Sequence, residues 1–535
     1  MLMRRSLVLA LLPAAVLMLL VLAPLLRLLV AGLGWDGGAL GTDASVASAF
    51  WQPWLDQHVR WRVVWSLSQA AATCVLAFAL GLPLSWVLAR FEFAGRRLVL
   101  RLLMLPFVVP TLVAALGVLA LWGPHGVLSG WLGLDLQDTP WLLLYGNLFF
   151  NLCLVVRAGV DALARVNAGH VAAARSLGAT PWRAFWRIEW PVMAPWLASS
   201  LCLVFLYCFG GFGLALVLGG QRFATVEVEI YSLVAHELQL GQASVLALWS
   251  LLLTGLVAWV YARVEKRLAV PLRFEPVPRQ RPQTPWQWLA LAGALAVLGL
   301  VCALPIGVIV WRALWVGWAT WALVFDADTL AAVWNTLRFS ALALVLATVL
   351  GVLHAMAAQA SVAWRAAAFL PLVVSPVTVA FGLLLLYPAW TASLALLLLA
   401  YAVLAYPFVA KSLAAGLDNL PKHLVYAAQT LGASPWRCFW RVTLPLMAPA
   451  LRRGMAFAAA SAVGEFAVTL FLSRPEWTTL TTLIYQHLGR PGAANLDAAM
   501  VLASVLMLLA LLVFLLIEWP SREPRGASFG KDRHA

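Results

Sequence analysis

Charged residues are scarce in this 535-residue chain. They make up 11% of it, against 63% hydrophobic residues, whereas a soluble globular chain carries about 25% charge. That shortage excludes an ordinary water-soluble domain and implies an integral membrane protein. Cysteine is sparse too. Cys74, Cys153, Cys202, Cys208, Cys302 and Cys438 form no CxxC pair and mostly sit in apolar runs, so neither a disulfide framework nor a zinc site is expected. No GxxxxGK[ST] phosphate loop occurs; Gly530–Lys531 stands alone, and LGGQ at 218–221 closes an apolar run. The histidines (His58, His125, His170, His236, His354, His423, His487 and His534) show no metal-ligand spacing. No nucleophile elbow or paired-carboxylate pattern stands out. Catalysis, ATP binding by this chain and a metal site are therefore not expected; any ATP and Mg would belong to another subunit. Acidic residues are few, 22 against 36 basic, for a net charge of +14. The basic excess falls between apolar runs, as in cytoplasmic loops of membrane proteins, so nucleic acid is not the expected partner.

What the chain has in quantity is apolar sequence. Runs long enough to cross a bilayer lie near 6–31, 62–89, 98–122, 141–160, 191–218 and 243–262. A second set lies near 286–314, 333–357, 366–388, 391–412, 445–472 and 498–519. The expected fold is an all-α integral membrane protein of about twelve helices. A β-barrel is excluded, because barrel strands alternate in character over only about ten residues. Arg4 and Arg5 precede LVLALLPAAVLMLLVLAPLL, which at roughly 20 residues reads as a membrane anchor rather than a cleaved signal.

Basic residues orient the chain. With the N-terminus inside, the inner segments hold Arg90, Arg96, Arg97 and Arg101, then Arg157, Arg165, Arg175, Arg183 and Arg187. Arg263, Lys266, Arg267, Arg273, Arg279 and Arg281 follow, then Arg365, Lys411, Lys422, Arg437 and Arg441. Arg522, Arg525, Lys531 and Arg533 lie in the tail, and the outer segments 123–140 and 319–332 have none. Both termini are then cytoplasmic. The Pro- and charge-rich VEKRLAVPLRFEPVPRQRPQTP reads as a linker. The organisation is a first half at 1–264 with a loop at 168–190, a linker at 265–285, a second half at 286–520 with a loop at 421–444, and a tail at 521–535.

The halves repeat. LGATPWRAFWRIEWPVMAP at 177–195 and LGASPWRCFWRVTLPLMAP at 431–449 agree at thirteen of nineteen positions, offset by 254. LPFVVPTLVAALG at 105–117 matches LPLVVSPVTVAFG at 370–382, and GGFGLALVLGGQRFATVEVEIY at 210–231 aligns with GEFAVTLFLSRPEWTTLTTLIY at 464–485. Six spans per half make the repeats parallel, with a pseudo-two-fold axis along the membrane normal.

The repeated loop has its own local physics. An Ala-rich segment predicts a short helix, ended by Gly178 or Gly432 in a left-handed cap. Thr180 or Ser434 is the next N-cap and Pro181 or Pro435 takes the first helical position. Trp182, Phe185 and Trp186 then share one helical face beside Arg183 and Arg187, as do Trp436, Phe439 and Trp440 beside Arg437 and Arg441. Pro191 and Pro445 are expected to open the next spans. By these patterns alone the loop is either a docking element or an amphipathic segment lying in the headgroups.

AAARSLG at 172–178 followed by IEWP at 188–191, and YAAQTLG at 426–432 followed by VTLP at 442–445, resemble the EAA loop of ABC importer permeases. Ala173, Ala174, Gly178, Ala427, Ala428, Gly432 and the closing prolines match that pattern; Ala172 and Tyr426 replace its glutamate, and Trp190 its usual leucine. The resemblance implies the type I ABC importer permease fold. It also implies that these residues, with Arg183, Arg187, Arg437 and Arg441, couple to two copies of a separate cytoplasmic ABC ATPase, and that a periplasmic binding protein delivers a small-molecule substrate. The location implied is a bacterial inner membrane. The fused two-half layout is similar to the iron(III)-type and thiamine-type permeases, and stretches such as GPHGVLSGWLGL at 123–134 and LVLGGQRFATVEVEIYSLV at 216–234 look most like the thiamine type. A secondary transporter built of parallel repeats is the alternative of a different class.

Within the expected spans, Glu465 is an expensive residue, and Gly211 holds the equivalent place in the first half. Glu465 either lines a translocation pathway or is a structural carboxylate bonded to a neighbouring helix. Asn147, Asn151 and His354 read as polar glue between helices; Arg157 and Lys411 read as snorkelling side chains.

Overall fold

In the computed structural model, described over residues 2–33, 46–124, 126–268, 277–359, 361–391, 393–418, 420–472 and 474–518, the regular elements are helices. Phe91 and Gln280 form an isolated β bridge. His125, Arg273 and the tail with Arg522, Arg525, Lys531, Arg533 and His534 lie outside the described residues, as do the side chains of Arg4, Arg5, Lys266, Arg267 and Lys422.

Among the described residues ten helices are long and apolar enough to cross a membrane. They are α1 (Ala10–Gly32), α2 (Gln57–Arg90), α3 (Thr111–Leu132), α4 (Pro140–Leu163), α5 (Pro181–Phe209), α6 (Leu240–Val264), α7 (Pro285–Trp315), α8 (Ala327–Ala358), α10 (Leu394–Asp418) and α12 (Ala493–Glu518). The pair Ala363–Val373 and Pro376–Leu386, bent by 90°, is α9 and makes an eleventh where the pair is counted as one span. The remaining long helix, α11 at 435–463, is the counterpart of α5 at the sequence offset of 254, and carries Arg437, Arg441, Arg452 and Arg453.

The repeat is visible in the defects of the helices as much as in their lengths. π-Turns interrupt Met18–Leu22 and Gly299–Ala303, and again Phe185–Glu189 and Phe439–Thr443. In each case a proline follows two residues later: Pro24, Pro305, Pro191 and Pro445. A proline lacks the N–H for the i→i−4 bond and its ring presses on the carbonyl four residues back, so a wider preceding turn lets the helix continue. Pro191 and Pro445 therefore sit inside continuous helices, α5 and α11, rather than opening new ones as expected.

The halves are locked together by their first helices. α1 packs on α6 of its own half and then on α8 and α9 of the other; α7 packs on α12 and then on α3 of the other. Lipid gives little hydrophobic drive between helices, so close approach of backbones matters. Two equivalent points provide it. A Cβ on Gly117 of α3 would lie 2.7 Å from the Pro305 carbonyl oxygen of α7, and one on Gly382 of α9 would lie 2.8 Å from Pro24 Cβ of α1.

On the side away from the repeated loops, different side chains hold the same turn in each half. In the first, buried Arg62 pairs with Glu229 at 3.1 Å and donates to the Gln221 carbonyl at 2.9 Å. In the second, Asn335 donates to the Thr478 carbonyl at 2.9 Å.

Alanine at Gly117 or Gly382 forces the crossing helices apart. Each variant is expected to lose about 1–3 kcal/mol, the cost of overpacking. Gly293→Ala, with open space around its Cβ, gains up to about 1 kcal/mol of helix propensity. Thermal denaturation of the purified protein in detergent separates the two outcomes.

Candidate functional site

The two loops fold as their local sequence predicts. Asn167 caps Ala168–Ser176 by accepting from Gly169 N at 2.8 Å. Gly178 and Gly432 end the first helices at φ +83° and +80°. Behind them Ala179 N donates to Ala174 O, and Ala433 N to Ala428 O, both at 3.0 Å, which closes the last turn. Thr180 and Ser434 then accept from Arg183 N and Arg437 N at 3.3 Å each. Trp182 and Phe185 stack with centroids 6.3 Å apart, and Trp182 meets Trp186 edge-on at 5.5 Å; Trp436, Phe439 and Trp440 repeat both distances.

Arg183, Arg187, Arg437 and Arg441 are exposed, as are Ala173 and Ala427; Ala174 and Ala428 are half-buried. The tips are apolar. Leu177 and Leu431 are each 88% exposed, with Trp182 at 69% and Trp436 at 70%. Six spans separate the loops, so both protrude from the same end. Tyr426, which stands in place of the family's glutamate, is 61% exposed.

The second candidate region is a cavity of about 290 Å³ between the halves. It lies where four apolar runs, expected as unbroken spans, are interrupted. Residues 98–122 break at Val109 and Pro110, 366–388 at Val374 and Ser375, 191–218 at Gly210–Phe212, and 445–472 at Gly464–Phe466. Proline and glycine disfavour helix at these points. Irregular backbone at membrane depth is tolerated where protein or a water-filled cavity supplies partners. All four breaks line this one cavity.

Glu465 and Gly211 therefore face a common space. Glu465 Oε1 accepts from Val468 N at 3.0 Å, at the start of Ala467–Leu472, and its backbone oxygen accepts from Thr481 Oγ1 at 3.1 Å. It is half-exposed to the cavity and is the one charged residue among those lining it. Its carboxylate is bonded to a backbone N–H three residues on and also meets the cavity.

Other lining residues carried no local signal. Phe212 and Phe466 stack across the halves, centroids 5.8 Å apart and planes 22° apart, flanked by Tyr231 at 5.5 Å and Tyr485 at 5.3 Å. The 254-residue offset pairs Phe212 with Phe466 and Tyr231 with Tyr485, which was the one available clue. Asn147 and Asn151 line the cavity while acting as glue: Asn147 donates to Gln69 at 2.6 Å and Asn151 to Cys208 Sγ at 3.3 Å. Ser375, the N-cap of Pro376–Leu386, donates to the fully buried Glu227 of the first half, which also accepts from Ser250 at 2.6 Å. His354 lies elsewhere, bonded to the Trp364 carbonyl at 2.8 Å. Among the described residues no group of His, Cys, Asp and Glu could hold a metal ion.

Residues 81–270 and 361–519 match the model of the binding-protein-dependent transport system inner membrane component family. The chain belongs to that family and carries the matched segment twice in one polypeptide. Particular relatives extend over most of its length. The thiamine transport system permease protein ThiP of Salmonella typhimurium is 27% identical over 488 residues, covering 87% of this chain and 90% of the relative. ThiP of Haemophilus influenzae is 25% identical over 517 residues, covering 90% and 93%. ThiP of Brucella abortus is 29% identical over 489 residues, covering 86% and 87%.

The loop turns test directly. A side chain at Gly178 or Gly432 meets nothing within 4 Å, so alanine there adds left-handed strain of about 1–2 kcal/mol without a clash. The expected outcome is amide exchange at residues 178–180 or 432–434 faster by about ten-fold, with a loss of global stability no larger than that strain.

Proposed function

We propose that the chain is the transmembrane subunit of an ABC importer that carries thiamine, or its phosphates, into the cytoplasm by alternating access. The observation that carries this reading is the cavity on the pseudo-axis. It is walled by broken helices of both halves and by aromatic rings, and holds a single charged side chain, the carboxylate of Glu465. Such a wall suits a planar organic cation, through ring contacts and one opposite charge. The relatives named for thiamine transport support the same cargo. Iron(III), the alternative within the class, prefers a cluster of hard oxygen ligands.

Two cytoplasmic ATPase subunits would each grip one loop. Ala173, Ala174, Gly178, Arg183 and Arg187 form the first contact, and Ala427, Ala428, Gly432, Arg437 and Arg441 the second. The exposed Leu177 and Leu431 suit insertion into an apolar groove on a partner. ATP-driven closure of the pair pulls both loops and rocks the halves, while a periplasmic binding protein delivers substrate at the opposite face. The Phe212–Phe466 stack would bar the cavity on that side until the halves separate. The domains are a first half at 1–264, a linker at 265–285, a second half at 286–520 and a tail at 521–535, with both termini in the cytoplasm. Glu465 and Gly211 mark the translocation pathway, the carboxylate balancing the cargo's charge as it passes.

Purified with its ATPase and binding protein, the complex is expected to hydrolyse ATP several-fold faster with thiamine than without it, and to show no stimulation by iron(III). The reverse pattern overturns the cargo. Glu465→Gln is expected to cut thiamine uptake by at least ten-fold at normal expression, and unchanged uptake removes it from the pathway.

A further inference from the structure

The loops match in backbone but differ in how they are held. Glu189 is the last residue of the first loop's π-turn and is 4% exposed. A carboxylate that deep needs a partner, and it pairs with the guanidinium of Arg90, the last residue of α2. The backbone of Arg90 is itself held. Its carbonyl accepts from Gln280 N, and Glu92 N donates to Gln280 O, both at 3.0 Å, beside an Arg279–Glu92 ion pair at 3.4 Å. These contacts form the bridge between Phe91 and Gln280. Four residues on, Thr284 and Gln287 form the capping box that starts α7. A continuous series of contacts thus runs from the first loop, through Glu189, Arg90 and the connecting segment at 279–284, to the first helix of the second half.

Among the described residues the second loop shows no such brace. Thr443 stands where Glu189 does, 254 residues on, and no arginine or lysine follows Gly351 until Arg365. Arg365 is committed to Asp418, with bonds of 2.9 and 3.0 Å. Among the described residues no ion pair involves 421–445.

We propose that Glu189 and Arg90 are positioning residues that clamp the first loop to the inter-half connector, so that the two ATPase-facing loops are mechanically inequivalent. The first moves as one body with α2 and the start of α7, and passes its displacement to both halves. The second pivots on α11 alone. This inference rests on the reading of the loops as ATPase-docking elements.

Hydrogen–deuterium exchange on the wild-type permease–ATPase complex in nanodiscs tests it, comparing residues 185–190 with 439–444. The first stem is expected to exchange at least ten-fold more slowly; equal rates overturn the proposal even if every variant misfolds. In Arg90→Ala and Glu189→Gln, the first stem should rise to the rate of the second, and transport per ATP hydrolysed should fall about five-fold. Thr443→Val should change neither. The double reversal Arg90→Glu with Glu189→Arg should restore both readouts, and its failure to restore either, in a folded complex, counts against the clamp. Leu177→Asp and Leu431→Asp separate the underlying reading: if the ATPase still co-purifies with both, docking at the loops is wrong, whatever the exchange rates show.

Discussion

Inside a bilayer an unpaired backbone N–H or C=O has no water to turn to, and each one left alone costs several kcal/mol. The rest of this molecule follows from that constraint. A pathway for a polar cargo needs helices that stop and turn at membrane depth, yet each stop frees backbone groups. The chain concentrates its stops in one place. Breaks at residues 109–110, 210–212, 374–375 and 464–466 surround a single cavity, and neighbouring groups serve the freed backbone. Ser375 accepts from Val377 N at 3.1 Å, Glu465 accepts from Val468 N, and Thr481 donates to the Glu465 carbonyl. Elsewhere Pro24, Pro191, Pro305 and Pro445 each follow a π-turn, so those helices run on.

The two halves share a backbone plan but not its chemistry. Prolines, π-turns, the glycines at the helix crossings and the glycines of the loop turns recur in pairs, because geometry requires them in both copies. The loop arginines recur as well, but the charged side chains within the packing and at the cavity do not. Glu465 faces Gly211, Glu189 faces Thr443, and Arg62 with Glu229 does in the first half what Asn335 does in the second. The cavity wall carries one carboxylate, Glu465, and two carboxamides, Asn147 and Asn151. Duplication built the frame, and the departures from symmetry give it direction.

The loops were legible because their determinants are local. A glycine with positive φ, a Thr or Ser cap and a proline at the first helical position act within six residues, so their reading needs no tertiary knowledge. The breaks were not legible in the same way. Residues 191–218 carry no charge and 445–472 only Arg452, Arg453 and Glu465, and hydropathy cannot distinguish a straight span from one that stops at Gly210 or Gly464. Pro191 and Pro445 misled for a related reason. A proline commonly marks a helix start, and only the turn preceding it shows whether the helix has been widened to let it pass.

Composition and periodicity by themselves determined a helical membrane protein of two parallel repeats with paired loops on one side, because the scarcity of charge and the 254-residue offset allow little else. Only the tertiary structure decided that α1 and α7 cross to the opposite half, that Glu465 and Gly211 share a cavity, and that Phe212 stacks on Phe466. Those contacts join residues hundreds of positions apart. They depend on how closely two backbones can approach, which is a property of the packed pair and not of either segment.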